Sequence, residues 1–315
     1  MKQPPQAYTL PPGAPSIDAM IAAERRRARK RLWTALAFMA PAILFVTIFL
    51  LLPVLFNVYA AMTQWAKFSG IDQFAGFANY QRLASNPKFF DATLNTVLWV
   101  AVSFVLPATI GLSLAMLVRG VPGEETFKSI FFLPRMFSAT AVGVIWYYVY
   151  AGDGIINSGL RAIGLGDFAS RWLYETHLAT PAMIVTHIWQ QVGLMMVLLL
   201  IGLNALPNDP MEAAKVDGAS RSQVFRHIVL PLLMPTLIMV TTVSVLAGFT
   251  SFDLVWVMGR DFPNRSTLTL SVYQYWESFR AGSWAYGAAI AVVLGIIAMS
   301  ISWSLGALQH RLDKR

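Results

Sequence analysis

Asn208-Asp209-Pro210-Met211-Glu212-Ala213-Ala214-Lys215-Val216-Asp217-Gly218-Ala219-Ser220-Arg221-Ser222-Gln223-Val224-Phe225-Arg226-His227-Ile228-Val229-Leu230-Pro231 is a polar stretch whose ends overlap two apolar runs, residues 177–208 and 227–252. Each run supplies the roughly 20 uncharged residues that a helix needs to cross a bilayer core of about 30 Å. The stretch between them is punctuated like folded chain. Asp209 can cap a helix, with Pro210 at its first position and Glu212 at its third in a capping-box pattern. Gly218 supplies a residue that tolerates a left-handed stop. Ser220 and Gln223 form a second capping-box pattern, and Val224, Phe225 and Ile228 fall on one face of the helix that follows. Two short helices jointed at Gly218 are expected to form a compact knob between two membrane spans.

The rest of the chain has the same character. Of 315 residues, 56% are hydrophobic and 13% charged, and the mean hydropathy is +0.55. A soluble domain carries about 25% charged residues. Further uncharged runs cover 32–66, 92–118 and 281–310, and a shorter one covers 136–152, extended by 129–133 if Arg135 is tolerated. The count is six spans, several of them bent by Pro41, Pro53, Pro107 and Pro134. The basic run 24–31 precedes too long an apolar stretch to be a cleaved signal, so the first span is retained. The Pro-rich start reads as a disordered tail, because it has little apolar area to offset chain entropy.

Charge orients the spans. Segments 1–31, 119–128, 206–230 and 311–315 hold fifteen Lys and Arg residues, the opposite loops hold eight, and eight acids lie on each side. Both termini and the 209–231 knob therefore belong on the cytoplasmic side. The basic pI of 9.8 follows from topology and headgroup anchoring, and nucleic-acid binding is not needed to explain it. With no cysteine, neither a disulfide framework nor a Cys-based zinc site is available.

Glu212-Ala213-Ala214, Gly218 after three intervening positions, then Ile228, Leu230 and Pro231 resemble the EAA loop of bacterial ABC importer permeases. Asp217-Gly218-Ala219, Phe225 and Pro235 resemble the form found in sugar and glycerol-phosphate importers of the maltose-permease type. Gly76-Phe77-Ala78-Asn79-Tyr80, Asn95-Thr96, Gly154-Ile155-Ile156-Asn157, Trp189 and Phe252-Asp253 fall where that family has weaker signatures, so the likeness runs from about residue 35 to 310. It implies an all-α membrane protein of six transmembrane helices, with a cytoplasmic two-helix coupling loop between helices 4 and 5. Residues 1–31 would be a largely disordered basic tail, 32–310 the permease domain and 311–315 a short cytoplasmic tail.

The resemblance further implies a bacterial inner-membrane location and the partners of an ABC importer. These are a second permease in a heterodimer, two copies of a cytoplasmic ABC ATPase that bind the ATP and Mg, and an extracytoplasmic solute-binding protein. Glu212 would pair with a basic residue of the ATPase, Ala213 and Ala214 would permit close approach, and Gly218 would set the angle between the helices. Asp217, Ala219, Phe225, Ile228, Leu230 and Pro231 complete the expected coupling set. One departure stands out: Val257-Met258 is followed by Gly259-Arg260-Asp261-Phe262-Pro263, where relatives have Thr and a Gly-Gly-Pro turn, and only the proline is kept.

Energy and substrate are read from what the spans contain. No Gly-x-x-x-x-Gly-Lys-Ser/Thr stretch occurs, so nucleotide is expected on a partner chain, and the chain is read as a transporter subunit and not as an enzyme. An ion-coupled carrier is the competing class, and it would show acids, His or broken helices in mid-membrane. A DNA-reading helix-turn-helix at 209–231 is a third reading, with Arg221 and Arg226 on the second helix but no supporting third helix. His187 lies deepest and is expected to be neutral and bonded to a neighbouring helix. Arg135 is expected to snorkel to the headgroups. Trp189, Gln190 and Gln191, with Thr250, Ser251, Phe252 and Asp253, offer amides, hydroxyls and aromatic faces suited to a sugar, and are the expected substrate-pathway residues.

Overall fold

The computed structural model describes residues 17–249, 251–259 and 266–312. In chain order the helices are α1 (Ile17–Val46), α2 (Leu52–Ala61), α3 (Ala78–Ser85), α4 (Pro87–Val118), α5 (Glu124–Met136), α6 (Ala139–Val149), α7 (Ile155–Ala162) and α8 (Ala179–Asn204). They continue with α9 (Asp209–Val216), α10 (Arg221–Val224), α11 (Leu230–Leu232), α12 (Met234–Phe249), α13 (Asp253–Met258), α14 (Leu270–Tyr275) and α15 (Trp284–Leu312). Among the described residues β structure is limited to the isolated bridges Thr63↔Phe74 and Ala66↔Ser69. Five helical stretches, Met20–Ala61, Pro87–Val118, Ala179–Asn204, Met234–Met258 and Trp284–Ala307, are long and apolar enough to span a membrane. The α5–α6 pair, bent by 92°, brings the number to six when its two helices are counted as one broken span. The architecture is the all-α membrane fold read from the sequence.

The chain divides into two compact units between Phe56 and Asn57. In the first, α1 begins at Ile17, so residues 17–31 are helical where a disordered tail was expected. Arg, Lys, Glu and Ala are strong helix formers, and adding residues to an existing helix is far easier than nucleating one. A five-residue π-helical turn, Thr47–Leu51, precedes Pro53, with the Leu52 N–H donating to the Thr47 carbonyl. The same device recurs at Phe225–Val229 before Pro231, where the Leu230 N–H donates to the Phe225 carbonyl. Widening the turn makes room for a ring that would otherwise strike the carbonyl four residues back.

The second unit opens on the end of the first span. That helix stops at Ala61, earlier than the expected residue 66, because Asn79 Nδ2 donates to the carbonyls of Ala61 (2.9 Å) and Thr63 (2.8 Å). A side chain thus occupies carbonyls that another helical turn would have used. Asn86 caps α4 by accepting the Lys88 N–H, with Pro87 at the first position. Its Nδ2 donates to the hydroxyls of Tyr273 (2.9 Å) and Tyr286 (3.0 Å), which joins the start of α4 to α14 and α15. The Arg82 guanidinium lies 4.2 Å from the centre of the Tyr286 ring. Beside this cluster, burial holds the half-buried Glu277 carboxyl above the usual carboxylate range, against the opposing pull of Arg82 and Lys88.

Helix α4 packs along α8, and two buried apolar clusters lie along that seam. One gathers Ala92 and Trp99 from the first half of α4 with Met183 and Ile184 of α8 and residues of α13 to α15. The other joins Ala108 and Ala115 with Met195, Met196, Leu199 and Leu203, and with Val229 and Leu233. Close approach is bought with small residues. A Cβ at Gly111 would lie 2.8 Å from Met195 Cβ, and one at Gly193 would lie 1.8 Å from the Phe131 carbonyl oxygen of α5.

The expected span 136–152 is replaced by two helices bent by 92°. Pro134 is accommodated inside α5, and the chain turns at Phe137 and Ser138, both extended. Ser138 Oγ caps α6 by accepting the Ala141 N–H, and Gln190 Nε2 donates to the Phe137 carbonyl at 3.1 Å. Arg135 is exposed in the last turn of α5.

Gly193→Ala is expected to cost about 1–3 kcal/mol, because a backbone carbonyl cannot give way as a side-chain end can. Thermal melting of the purified protein in detergent measures it, with Gly295→Ala, where nothing lies within 4 Å of the new Cβ, as the neutral control.

Candidate functional site

The knob begins one residue earlier than the capping patterns suggest. Asn208 is the N-cap of α9, and its carbonyl accepts the N–H groups of Met211 (2.9 Å) and Glu212 (3.0 Å). Asp209 and Pro210 are then the first two helical residues, and Glu212 is the fourth, so the expected Asp209–Glu212 capping box does not form. The cause is Asn208 itself, whose φ of −79° and ψ of −32° are already helical instead of extended, so the first turn starts there. The other end is as expected. Gly218 has φ +78°, the Ala219 N–H donates to the Ala214 carbonyl and the Gly218 N–H to that of Lys215. This paired closure satisfies carbonyls that a helix end leaves free. The second capping box is complete: Gln223 Oε1 accepts the Ser220 N–H at 2.7 Å and Ser220 Oγ accepts the Gln223 N–H at 3.3 Å.

Burial sorts the knob into two faces. Met211, Val224 and Phe225 pack against the α4–α8 cluster, and Ala214, Ile228 and Leu230 are half-buried. Glu212, Ala213, Asp217, Gly218 and Pro231 are exposed, Val216 is 87% exposed, and Ala219 is half-buried. The outward residues of α9 follow helical spacing, so Glu212, Ala213 and Val216 share one face. Among the described residues Glu212 forms no ion pair. Neighbouring loops brace the same end: Arg119 Nε donates to Asn204 Oδ1 at 3.1 Å, and Lys128 lies 2.8 Å from both Glu124 and Glu125. A cleft of ≈ 220 Å³ remains between Met116 and Leu203 on one side and Ala219, Val224 and Phe225 on the other.

The expected substrate-pathway residues separate into different roles. Gln190 is buried and spends its amide on the break at Phe137. Gln191 is buried with Oε1 unpartnered. Trp189 is 41% exposed and stands edge-on to Trp146, with ring centres 5.5 Å apart. Ser251 donates to its own Gly248 carbonyl, Phe252 stacks on Trp256 at 5.7 Å, and Asp253 is exposed at the start of α13. Thr250 and residues 260–263 lie outside the described residues.

His187 differs from expectation. Its Nε2 has no hydrogen-bond partner, and its ring stands edge-on to Trp99 of α4, with centres 5.4 Å apart. Trp99 Nε1 and Ser103 Oγ are likewise buried without partners. Sequence reasoning passed over Trp99 and Ser103, yet the two pairs 99/103 and 187/191 each have the i, i+4 spacing that places polar atoms on one face of a helix. Among the described residues no group of three or more His, Asp or Glu could hold a metal ion.

The weaker family signatures prove to be loop ties. Asn95 Nδ2 donates to the Leu268 carbonyl at 3.0 Å, and Thr96 Oγ1 accepts the Leu270 N–H at 2.9 Å. Asn157 donates to the carbonyls of Ala151 (3.0 Å) and Ser170 (2.9 Å) and accepts from Trp172 Nε1 (2.9 Å).

Ser220→Ala is expected to remove about 1 kcal/mol, and Gly218→Ala about 1–2 kcal/mol because a Cβ is disfavoured at positive φ. Both losses should appear as faster amide hydrogen exchange confined to residues 209–224, read by mass spectrometry.

Residues 108–315 match the model of a family described as binding-protein-dependent transport system inner membrane component. A probable ABC transporter permease protein of Pyrococcus horikoshii is 31% identical over 266 residues, which cover 84% of this chain and 91% of that one. The multiple sugar-binding transport system permease protein MsmF of Streptococcus mutans is 29% identical over 296 residues, covering 92% and 98%. In fold, the chain matches one from a crystal structure of a bacterial alginate ABC transporter in complex with an alginate pentasaccharide-bound periplasmic protein. The TM-score is 0.78 and the identity 22%, with 91% of this chain and 98% of that one covered.

Proposed function

The chain belongs to the family of binding-protein-dependent transport system inner membrane components, and from that premise we propose that it is the sugar-conducting permease subunit of an importer driven through the 209–231 knob. As a multi-pass ABC permease subunit it is not itself an enzyme. ATP and Mg are assigned to two copies of a partner ATPase, one of which docks on this knob from the cytoplasmic side, where both termini lie. A second permease, in a heterodimer, completes the pathway, and an extracytoplasmic binding protein delivers a sugar or sugar derivative.

The observation that carries this reading is the two-faced knob. Its inner face is packed on the α4–α8 core, and its outer face offers an unpaired Glu212 beside Ala213 on a helix closed at its C-terminal end by Gly218. A helix held that way moves with the core it sits on, so a partner that shifts the knob also shifts α4 and α8. Small residues beside the glutamate allow a groove to approach closely. Asp217, Gly218 and Ala219 form the joint, while Phe225, Ile228, Leu230 and Pro231 seat the second helix against the span that follows.

Glu212→Ala is expected to leave membrane insertion intact and to abolish transport-coupled ATP hydrolysis in proteoliposomes. Losing one partner of an interfacial charge pair costs about 2 kcal/mol, or about 30-fold in docking affinity. Normal coupled hydrolysis in the assembled variant would refute the assignment.

For the solute, the reading draws on the sugar permease MsmF and on the alginate complex as relatives of the chain. Gln191 is the proposed pathway contact; Trp189, Ser251, Phe252 and Asp253 are kept as pathway candidates, Gln190 serves the break, and Thr250 is kept from its sequence position. Replacing an unpartnered buried carbonyl by an apolar group of similar size is close to neutral for stability. Gln191→Leu should therefore keep the melting temperature while raising the solute concentration for half-maximal uptake about tenfold, the loss of one hydrogen bond of about 1.4 kcal/mol. An unchanged uptake curve would remove Gln191 from the pathway.

A further inference from the structure

The segment between α2 and α3 is folded, and the transport reading leaves it without a task. Residues 62–76 turn back on themselves: the Gln64 N–H donates to the Gln73 carbonyl at 2.8 Å, and the Ala75 N–H to that of Met62 at 2.8 Å. Thr63 pairs with Phe74, and Ala66 with Ser69 at the tip. Two further backbone bonds fasten this hairpin to the start of α15: the Lys67 N–H donates to the Gly282 carbonyl, and the Ala285 N–H to that of Trp65, both at 2.8 Å. A Cβ at Gly282, where φ is +72°, would lie 3.1 Å from Lys67 Cβ, so the approach is close.

These ties set the hairpin's depth. Helix α15 is a spanning helix that begins at Trp284, and the Trp65 and Trp284 rings meet with centres 5.0 Å apart. Tryptophan is enriched at the ends of spans, where its amphipathic ring sits at headgroup level. At that level the hairpin and the residue that follows it expose three phenylalanines: Phe68 is 95% exposed, Phe74 65% and Phe77 67%. Over residues 62–77 the charged side chains are Lys67 and Asp72, and Lys67 Nζ lies 5.6 Å from the centre of the Phe68 ring. The flank of α15 below is apolar as well, with Ile296 and Met299 exposed.

We propose that the 62–77 hairpin is an interfacial anchor: Phe68 and Phe74 insert among phospholipid acyl chains just beneath the headgroups, and Lys67 stays with the phosphates. Three exposed aromatic rings, a neighbouring cation and a tether to the first turn of a span are the features of a segment that lies in the interface. The anchor sits at the opposite end of α4 from the knob, beside the α3–α4 junction that Asn79 and Asn86 secure.

The cysteine-free chain makes the test direct. Phe68→Cys and, separately, Phe74→Cys are labelled with a nitroxide, and the assembled complex is placed in phosphatidylethanolamine–phosphatidylglycerol vesicles. Collision with oxygen is then compared with collision with an aqueous nickel chelate. Both labels are expected to favour oxygen, at a depth of about 5–10 Å below the headgroup boundary, while a label from Val216→Cys on the exposed knob favours the chelate. The proposal is overturned if the labels at 68 and 74 meet the chelate as freely as the one at 216. It is equally overturned if both reagents are excluded, which indicates a covering subunit, or if added solute-binding protein alone shields them.

Discussion

In the hydrocarbon layer no water is available to satisfy a free backbone amide or carbonyl, and each unmet group costs several kcal/mol. Several departures from the helical ladder among the described residues can be followed to the group that answers them. Where the fold turns between α5 and α6, the Phe137 carbonyl receives the Gln190 amide and Ser138 caps the helix beyond. Where prolines interrupt, at Pro53 and Pro231, the preceding turn widens, and the N–H groups of Leu52 and Leu230 reach five residues back. Where the first span ends, Asn79 closes two carbonyls at once.

Helix α8 links these features to the proposed coupling site. Its middle holds Gln190 and Gly193 against the broken span, and its last turns form the core on which Met211, Val224 and Phe225 rest. Core packing is too dense to absorb a shift locally, so a displacement of the knob reaches the break along one helix. The unpartnered atoms of Trp99, Ser103, His187 and Gln191 lie on the seam between α4 and α8. A buried polar atom without a partner is costly, which suits groups that meet a hydroxyl-rich solute in another conformation better than groups that only hold helices together.

Side chains that resemble family signatures outside the knob act on the backbone. Asn79, Asn95 and Asn157 each donate to carbonyls of distant chain, and Thr96 accepts the amide that starts α14. Such residues shape the loops at the far end of the bundle from the knob, and their family likeness reflects fold more than cargo.

Six apolar runs, the charge asymmetry and the Ser220–Gln223 and Gly218 patterns were legible because each depends on residues a few positions apart, through helical periodicity and capping. Local reading failed by a single residue at Asp209, because the backbone of Asn208 is already helical. It failed more widely at residues 136–152, read as one span with a proline bend at Pro134, where two helices meet at 92° beyond that proline. The partner that stabilises that break, Gln190, lies 53 residues away in the chain, and the glycine that lets α5 approach, Gly193, is its near neighbour on α8. The sequence by itself determined which segments enter the membrane and that a jointed knob separates two of them. Only the tertiary structure decided where the third span breaks and which glutamine is left unpaired, because both depend on which side chain meets a carbonyl across a helix interface.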